Sequence, residues 1–201
     1  MKVLIATTNL GKVNIYKQAF DELGIEVCSL RDLDVDIDVD ETGNSEIENA
    51  ILKAKAYHEI TGMPVLANDS GLVIEKFAKA DQPGLLVRRY QGKELSDQEM
   101  LEVYIQKLNE VGGESPAHYN VGLAIIDQYG NLFTKEFKPK RYFINKPSSV
   151  VQKGVPLSSL CYDDVSGRYL SEMTAKERND YEGEEFLGQI RFIKECFGKE
   201  K

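Results

Sequence analysis

Two periods organise the apolar positions of this chain. Val3-Leu4-Ile5-Ala6 is a short unbroken apolar run closed by the polar loop Thr7–Lys12, the pattern of a buried strand. Val13, Tyr16, Phe20 and Leu23 then recur at helical spacing, with Ile15 and Ala19 at the margin, and Gly24 marks the stop. A second strand is expected at Ile25–Cys28. Ser45-Glu46-Ile47-Glu48 has the S-x-x-E form of a capping box, and Ile47, Ala50, Ile51, Ala54 and His58 carry its helix to about residue 60. Val65-Leu66-Ala67 reads as a strand, Asn68-Asp69-Ser70-Gly71 as a turn, and Leu72-Val73-Ile74 as a strand again. Ser96-Asp97-Gln98-Glu99 is a second capping box, opening a helix with Met100, Val103, Tyr104 and Leu108 on one face.

The pattern then shortens to period 2. Residues 118–126 and 132–137 read as a hairpin around Asp127–Asn131, with a further strand over 141–145. Thr174-Ala175-Lys176-Glu177 caps a short helix, and Phe186, Leu187, Ile190, Ile193 and Phe197 give residues 184–197 an amphipathic face. Strands alternating with helices predict an α/β fold. The strand-rich middle predicts a second lobe, roughly residues 115–165, on the same sheet of one domain spanning 1–201.

From Asp32 to Glu41 acids alternate with apolar residues. An EF-hand is excluded, since no register puts Gly sixth and Glu twelfth. A solvated edge strand over Asp32–Asp38 is the simpler reading.

Composition narrows the function. The 201 residues hold 25 basic and 33 acidic side chains, a net charge of −8, without a Lys/Arg stripe to neutralise a run of phosphates. Nucleic acid is therefore not an expected partner, although one mononucleotide needs only a local cluster of cations. Cys28, Cys161 and Cys196 are far apart and form no CxxC pair, which argues against zinc and disulfides and for a reducing cytoplasm. No apolar run approaches the roughly 18–20 residues of a membrane span. The stretch after Met1 is too short for a signal peptide.

Several positions could carry chemistry. The loop Thr7-Thr8-Asn9-Leu10-Gly11-Lys12 enters a helix with Gly then Lys, either as an ordinary capped start or as an anion site. It lacks the spacing of a Walker A loop. Asp69 is either a turn residue or a carboxylate able to bind Mg²⁺ and orient water. Glu41 is a second candidate oxygen ligand and Lys53 a second candidate phosphate cation, although each taken alone reads first as a solvated surface charge. Glu48 is explained by its capping box.

Taken together, Thr8-Asn9-x-Gly11-Lys12, Glu41-Thr42-Gly43, Glu48-Asn49-Ala50-x-x-Lys53-Ala54, Asp69-Ser70-Gly71-Leu72 and Pro83-Gly84 resemble the inosine triphosphate pyrophosphatase family, closely over residues 2–90 and loosely beyond. The resemblance implies a long central mixed sheet with flanking helices, two lobes around a cleft, and a homodimer. It implies Mg²⁺-dependent hydrolysis of a nucleoside triphosphate to monophosphate and pyrophosphate, with preference for deaminated or otherwise non-standard purines. By position, Thr8, Asn9, Lys12 and Lys53 would hold phosphates, with Ser70 beside them. Glu41 and Asp69 would serve the metal, and Asp69 would also be the catalytic base.

The chain departs from the family pattern in places. Asn68 stands where the first of two aspartates is usual. After Pro-Gly, only Arg89 and Tyr90 of Ser-Ala-Arg-Tyr remain. The glycine-rich segment that receives the base survives as Tyr162-Asp163, with Tyr162 and Phe186 available to stack. The Ser-His-Arg signature is missing, and Arg178 falls at the place of a preceding Lys. The expectation is a pyrophosphatase with altered base selectivity. The alternative is a catalytically impaired nucleotide-binding regulator or partner subunit.

Overall fold

The computed structural model describes residues 1–33 and 39–198. Asp34, Asp36 and Asp38 of the acidic segment lie outside the described residues, as does the side chain of Phe186. Ten strands and four α-helices are described, in the order β1 (Lys2–Ile5), α1 (Leu10–Glu22), β2 (Glu26–Ser29), α2 (Glu46–Thr61), β3 (Val65–Ile74), β4 (Arg89–Tyr90), β5 (Lys93–Glu94), α3 (Asp97–Glu110), β6 (Glu114–Ile126), β7 (Leu132–Phe137), β8 (Lys140–Ile144), β9 (Tyr162–Asp163), β10 (Arg168–Tyr169) and α4 (Ala175–Phe197). The architecture is mixed α/β. Its central sheet runs β2-β1-β3-β6-β7, with β8 also paired to β6. The β1–β2 and β1–β3 pairs are parallel, and β6–β7 and β6–β8 are antiparallel.

The chain divides into two compact units. The first comprises Met1–Ser70, Val121–Phe137 and the chain from Leu187 onward. Its core gathers Leu4, Cys28, Ala50, Ala54, Tyr57, Val65 and Ile126. The apolar faces expected of residues 12–23 and 47–58 are the faces that pack, with Tyr16, Phe20, Ala50 and Ala54 all buried. The second unit comprises Gly71–Asn120 and Lys138–Phe186, around Leu72, Ile74, Met100, Tyr104, Leu108, Phe143 and Leu160. Residues of β3 and β6 contribute to both units.

Several local expectations are revised. Asn68–Gly71 is not a turn: β3 runs unbroken from Val65 to Ile74. Asx turns form when the polar side chain has only its own backbone to bond. Here Asp69 finds partners on α2 instead, and the strand continues. Asp32 lies in a 3₁₀ turn, Leu30–Leu33, rather than an edge strand, because its carboxylate accepts from the Ser29 amide and hydroxyl at 2.7 and 2.8 Å. The first capping box is half formed. Ser45 accepts from the Glu48 amide, but Glu48 reaches Asn44 N. The second, Ser96 with Glu99, is complete. β7 and β8 both pair with β6, on residues 121–126 and 114–118 respectively. Within α4, Gly183 is non-helical (φ 53°, ψ −143°), so the short capped helix and the amphipathic segment are separate helices meeting at a kink.

One glycine sets how α2 approaches the sheet. A Cβ on Gly122 of β6 would lie 2.6 Å from backbone atoms of Glu46 and Ile47. Backbone cannot rotate away as a side chain does. Gly122→Ala is therefore expected to destabilise by about 2 kcal/mol or more, the upper part of the overpacking range. Urea unfolding measures it, and an unchanged midpoint would mean that α2 does not press on Gly122.

Candidate active site

The chemistry of the first unit converges on the first turns of α2. Ser45 caps this helix, so Asn49 and Lys53, four residues apart, share one face. Lys53 is the hub. Its Nζ lies 2.8 Å from Glu41 Oε1 and 3.4 Å from Asp69 Oδ1. The Lys53 and Asp69 side chains are 12% and 10% exposed, while Glu41 is 47% exposed. Water therefore screens the Lys53–Asp69 pair less than the Lys53–Glu41 pair. Asp69 has a second partner, since Asn49 Nδ2 donates to its Oδ2 at 3.0 Å.

α1 brings the other cation. Asn9 caps it, its Oδ1 accepting from Gly11 N at 2.8 Å and from Lys12 N at 3.4 Å. Asn9 is thus a helix cap, and its own amide is fixed by the Thr7 hydroxyl at 3.1 Å. Thr8 is exposed, and Ser70 is half-buried beside Asp69 on β3. Lys12 is half-buried. Burial, then the positive charge of Lys53, lowers its pKa from 10.5 to about 8, against the opposing pull of Asp69 and Glu41. Lys12, Lys53, Glu41 and Asp69 are therefore one electrostatic cluster: two cations and two carboxylates in a protein of net charge −8.

The depressed Lys12 pKa has a definite consequence. A polyanion favours the charged amine and raises its pKa on binding. Its affinity is therefore full below about pH 8. Above that it falls, by up to about tenfold per pH unit. We expect a non-hydrolysable adenosine triphosphate analogue, without metal, to lose affinity between pH 8 and 9.5, and Lys12→Met to flatten that profile. A profile flat to pH 9.5 in the parent protein would show Lys12 to be an ordinary lysine.

The remaining predicted residues lie in the second unit. Arg89 is exposed on β4, opposite Glu94 of β5. Its neighbour Arg88 is a tie instead, donating to Asp97 Oδ1 (2.7 Å), Leu95 O and Gly154 O. The Tyr162 ring packs edge-on against Tyr169, 5.2 Å between centroids. The Asp163 carboxylate accepts from Val165 N and Ser166 N, holding the β9–β10 turn. Arg178 donates to Gln152 Oε1 and Leu170 O. Asn68 is buried on β3.

Residues 3–143 match the Ham1 family. The chain belongs to the Ham1 family, the inosine triphosphate pyrophosphatases. Two Ham1 relatives align along most of both chains. A dITP/XTP pyrophosphatase from Halalkalibacterium halodurans is 30% identical over 177 residues, covering 88% of this chain and 89% of its own. One from Photorhabdus laumondii is 30% identical over 184 residues, 89% of each. A third, from Shigella flexneri, is 39% identical over 110 residues, only 55% of this chain and 54% of its own. Among solved structures, the Ham1 protein of Staphylococcus aureus superposes with a TM-score of 0.72 at 22% identity, over 97% of this chain and 99% of its own. A HAM1 protein from Coxiella burnetii gives 0.72 at 23%, with the same coverage. At those identities the likeness establishes the fold.

Within this Ham1 site, sequence reasoning assigned no role to Asn49. It is 1% exposed and bonded on both sides, to Asp69 and, through its Oδ1, to Gly43 N at 2.8 Å. The signal was present: an amide one helical turn before Lys53, on a helix otherwise packed by Ala50 and Ala54.

Proposed function

We propose that this chain is a Mg²⁺-dependent nucleoside triphosphate pyrophosphatase that releases pyrophosphate and a nucleoside monophosphate, a house-cleaning enzyme for non-standard purines with altered base selectivity. The observation that carries the reading is Lys53 bridging Glu41 and Asp69, with Lys12 in the same electrostatic cluster. Phosphoanhydride cleavage needs neutralised charge and an aligned water more than covalent chemistry. The names of the Ham1 relatives, dITP/XTP pyrophosphatase, point the same way.

The donor set fits Mg²⁺. The carboxylates of Glu41 and Asp69 are hard oxygen donors, and Mg²⁺ is commonly held by one or two carboxylates plus substrate phosphates rather than by an all-protein cage. Glu41 and Asp69 would hold the cation, which would supply neutralisation of the phosphate charge. Lys12 and Lys53 bind the phosphate chain. The Asp69 Oδ2 is held by Asn49. Its Oδ1 is the oxygen that faces Lys53, and we assign it to take the proton of the attacking water. The water oxygen bonds to the α-phosphorus as the bond from that phosphorus to the bridging oxygen breaks, and pyrophosphate leaves with the bridging oxygen.

We assign Arg89, Tyr162, Asp163 and Arg178 to substrate binding, with Tyr162 and Asp163 in the segment that would receive the base. Asp163 and Arg178 already have local bonds, so the purine edge meets fewer dedicated groups. We take the enzyme to be a cytoplasmic homodimer. Cys28, Cys161 and Cys196 are buried and form no disulfide, as suits a reducing compartment. Among the described residues no helix is long and apolar enough to cross a membrane.

The test is a panel of inosine, xanthosine, adenosine and guanosine triphosphates with Mg²⁺, read as kcat/KM. Strong rejection of a near-isosteric base requires buried groups that the wrong base leaves unpaired. We expect discrimination between inosine and the two standard purines below about a hundredfold, the limit of a pocket without such groups. A larger preference would mean that other residues rebuild the base pocket. Binding without turnover would favour the regulator.

A further inference from the structure

We propose that Asn49 is a positioning residue, a strut that fixes the separation of the two carboxylates Glu41 and Asp69; the inference rests on the pyrophosphatase reading of that site. The side chain is 1% exposed, and both ends of its amide are engaged. Nδ2 donates to Asp69 Oδ2 at 3.0 Å, and Oδ1 accepts from Gly43 N at 2.8 Å. Gly43 lies two residues after Glu41, which is otherwise held through Lys53. One planar group therefore ties the loop carrying Glu41 to the strand carrying Asp69. The anchor is itself fixed, since Asn49 N donates to Ser45 O at 3.1 Å in the first turn of α2.

Two further features favour a strut over a merely buried amide. Gly43 makes the approach possible: a Cβ there would lie 2.7 Å from Asn49 Oδ1 and 2.7 Å from Glu48 Cβ. The geometry also divides the work of Asp69. Its Oδ2 is committed to Asn49, which sets the direction of Oδ1. Only a side chain with a donor and an acceptor on one short plane does both jobs. Asp at position 49 keeps the shape and the acceptor for Gly43 but sets a carboxylate against Asp69. Ala removes both ends.

Three variants separate the arms: Asn49→Asp, Asn49→Ala and Gly43→Ala. Two measurements apply to each, hydrogen–deuterium exchange of the residue-43 amide in ligand-free protein, and steady-state kcat and KM with Mg²⁺ and inosine triphosphate. We expect Asn49→Asp to keep the slow exchange of Gly43 yet lose about 10–100-fold in kcat, the range for a group that orients a reacting carboxylate. Asn49→Ala should lose both. Its metal-free affinity for a non-hydrolysable triphosphate should stay within about threefold, because Lys12 and Lys53 are untouched. Gly43→Ala, with Asn49 intact, should lower kcat in the same way. The proposal is overturned if Asn49→Asp turns over like the parent protein, or if Asn49→Ala leaves Gly43 exchange unchanged. A parent protein that hydrolyses no triphosphate would sink the pyrophosphatase reading instead, and the exchange comparison would still decide whether Asn49 holds the loop.

Discussion

Asp69→Asn is expected to lower kcat by at least about 10²-fold, the ordinary loss for a general base, while the protein stays folded. The side chain is buried and bonded on both oxygens, to Asn49 Nδ2 at 3.0 Å and Lys53 Nζ at 3.4 Å. Asparagine has the same shape, and its carbonyl oxygen can still accept from Asn49. Lys53 keeps Glu41 at 2.8 Å, so no buried charge is stranded. What disappears is the anionic oxygen that we propose takes the proton, and with it one of the two carboxylates proposed for the cation. Steady-state kinetics, with circular dichroism to check the fold, measure the effect. Turnover of Asp69→Asn at the parent rate would remove Asp69 from the mechanism.

Lys53→Ala is expected to lower kcat/KM by about 10–100-fold, the worth of one charge-assisted hydrogen bond to a phosphate. Two effects add. The triphosphate loses a cation in a protein whose net charge of −8 repels it. Glu41 and Asp69 also lose the ammonium that lies between them. The loss should be the same for every base, because phosphates carry no base identity. A Lys53→Ala protein with altered base preference but parental triphosphate affinity would place Lys53 on the nucleoside side.

The elements with strong periodicity and caps were legible in the sequence. The helices starting after Ser45 and Ser96 form where their signals put them, while the first helix begins at Leu10, two residues earlier than its apolar spacing indicates, because Asn9 caps it. The hairpin partner at 132–137 pairs as expected. Asp32 was decided locally, by Ser29, whereas the failures along β3 and β6 were decided by long-range partners. Asn68–Gly71 carries turn chemistry, but α2 supplies Asp69 with partners and the strand continues. Pro116 hides the start of β6, which begins at Glu114 and pairs with β8 from there. The pairing of β7 and β8 along one strand is topology, which period-2 alternation does not encode.

The candidate site was legible only as an ordered set of separate motifs. Glu41 and Lys53 each read alone as surface charge, and their meeting through α2 and β3 appears only in three dimensions. Asn49 was masked by its place in an apolar helix. The same folding shows Asp163 holding a turn and Arg178 bonding to Gln152 and Leu170, roles that spacing did not reveal.

The central claim is that this cluster cleaves the bond between the α- and β-phosphates. The most direct measurement is ³¹P NMR of the products formed from deoxyinosine triphosphate with Mg²⁺ by the full chain. The account predicts pyrophosphate and deoxyinosine monophosphate in equal amounts, with no build-up of the diphosphate. Orthophosphate with deoxyinosine diphosphate, or a substrate left intact, would contradict it.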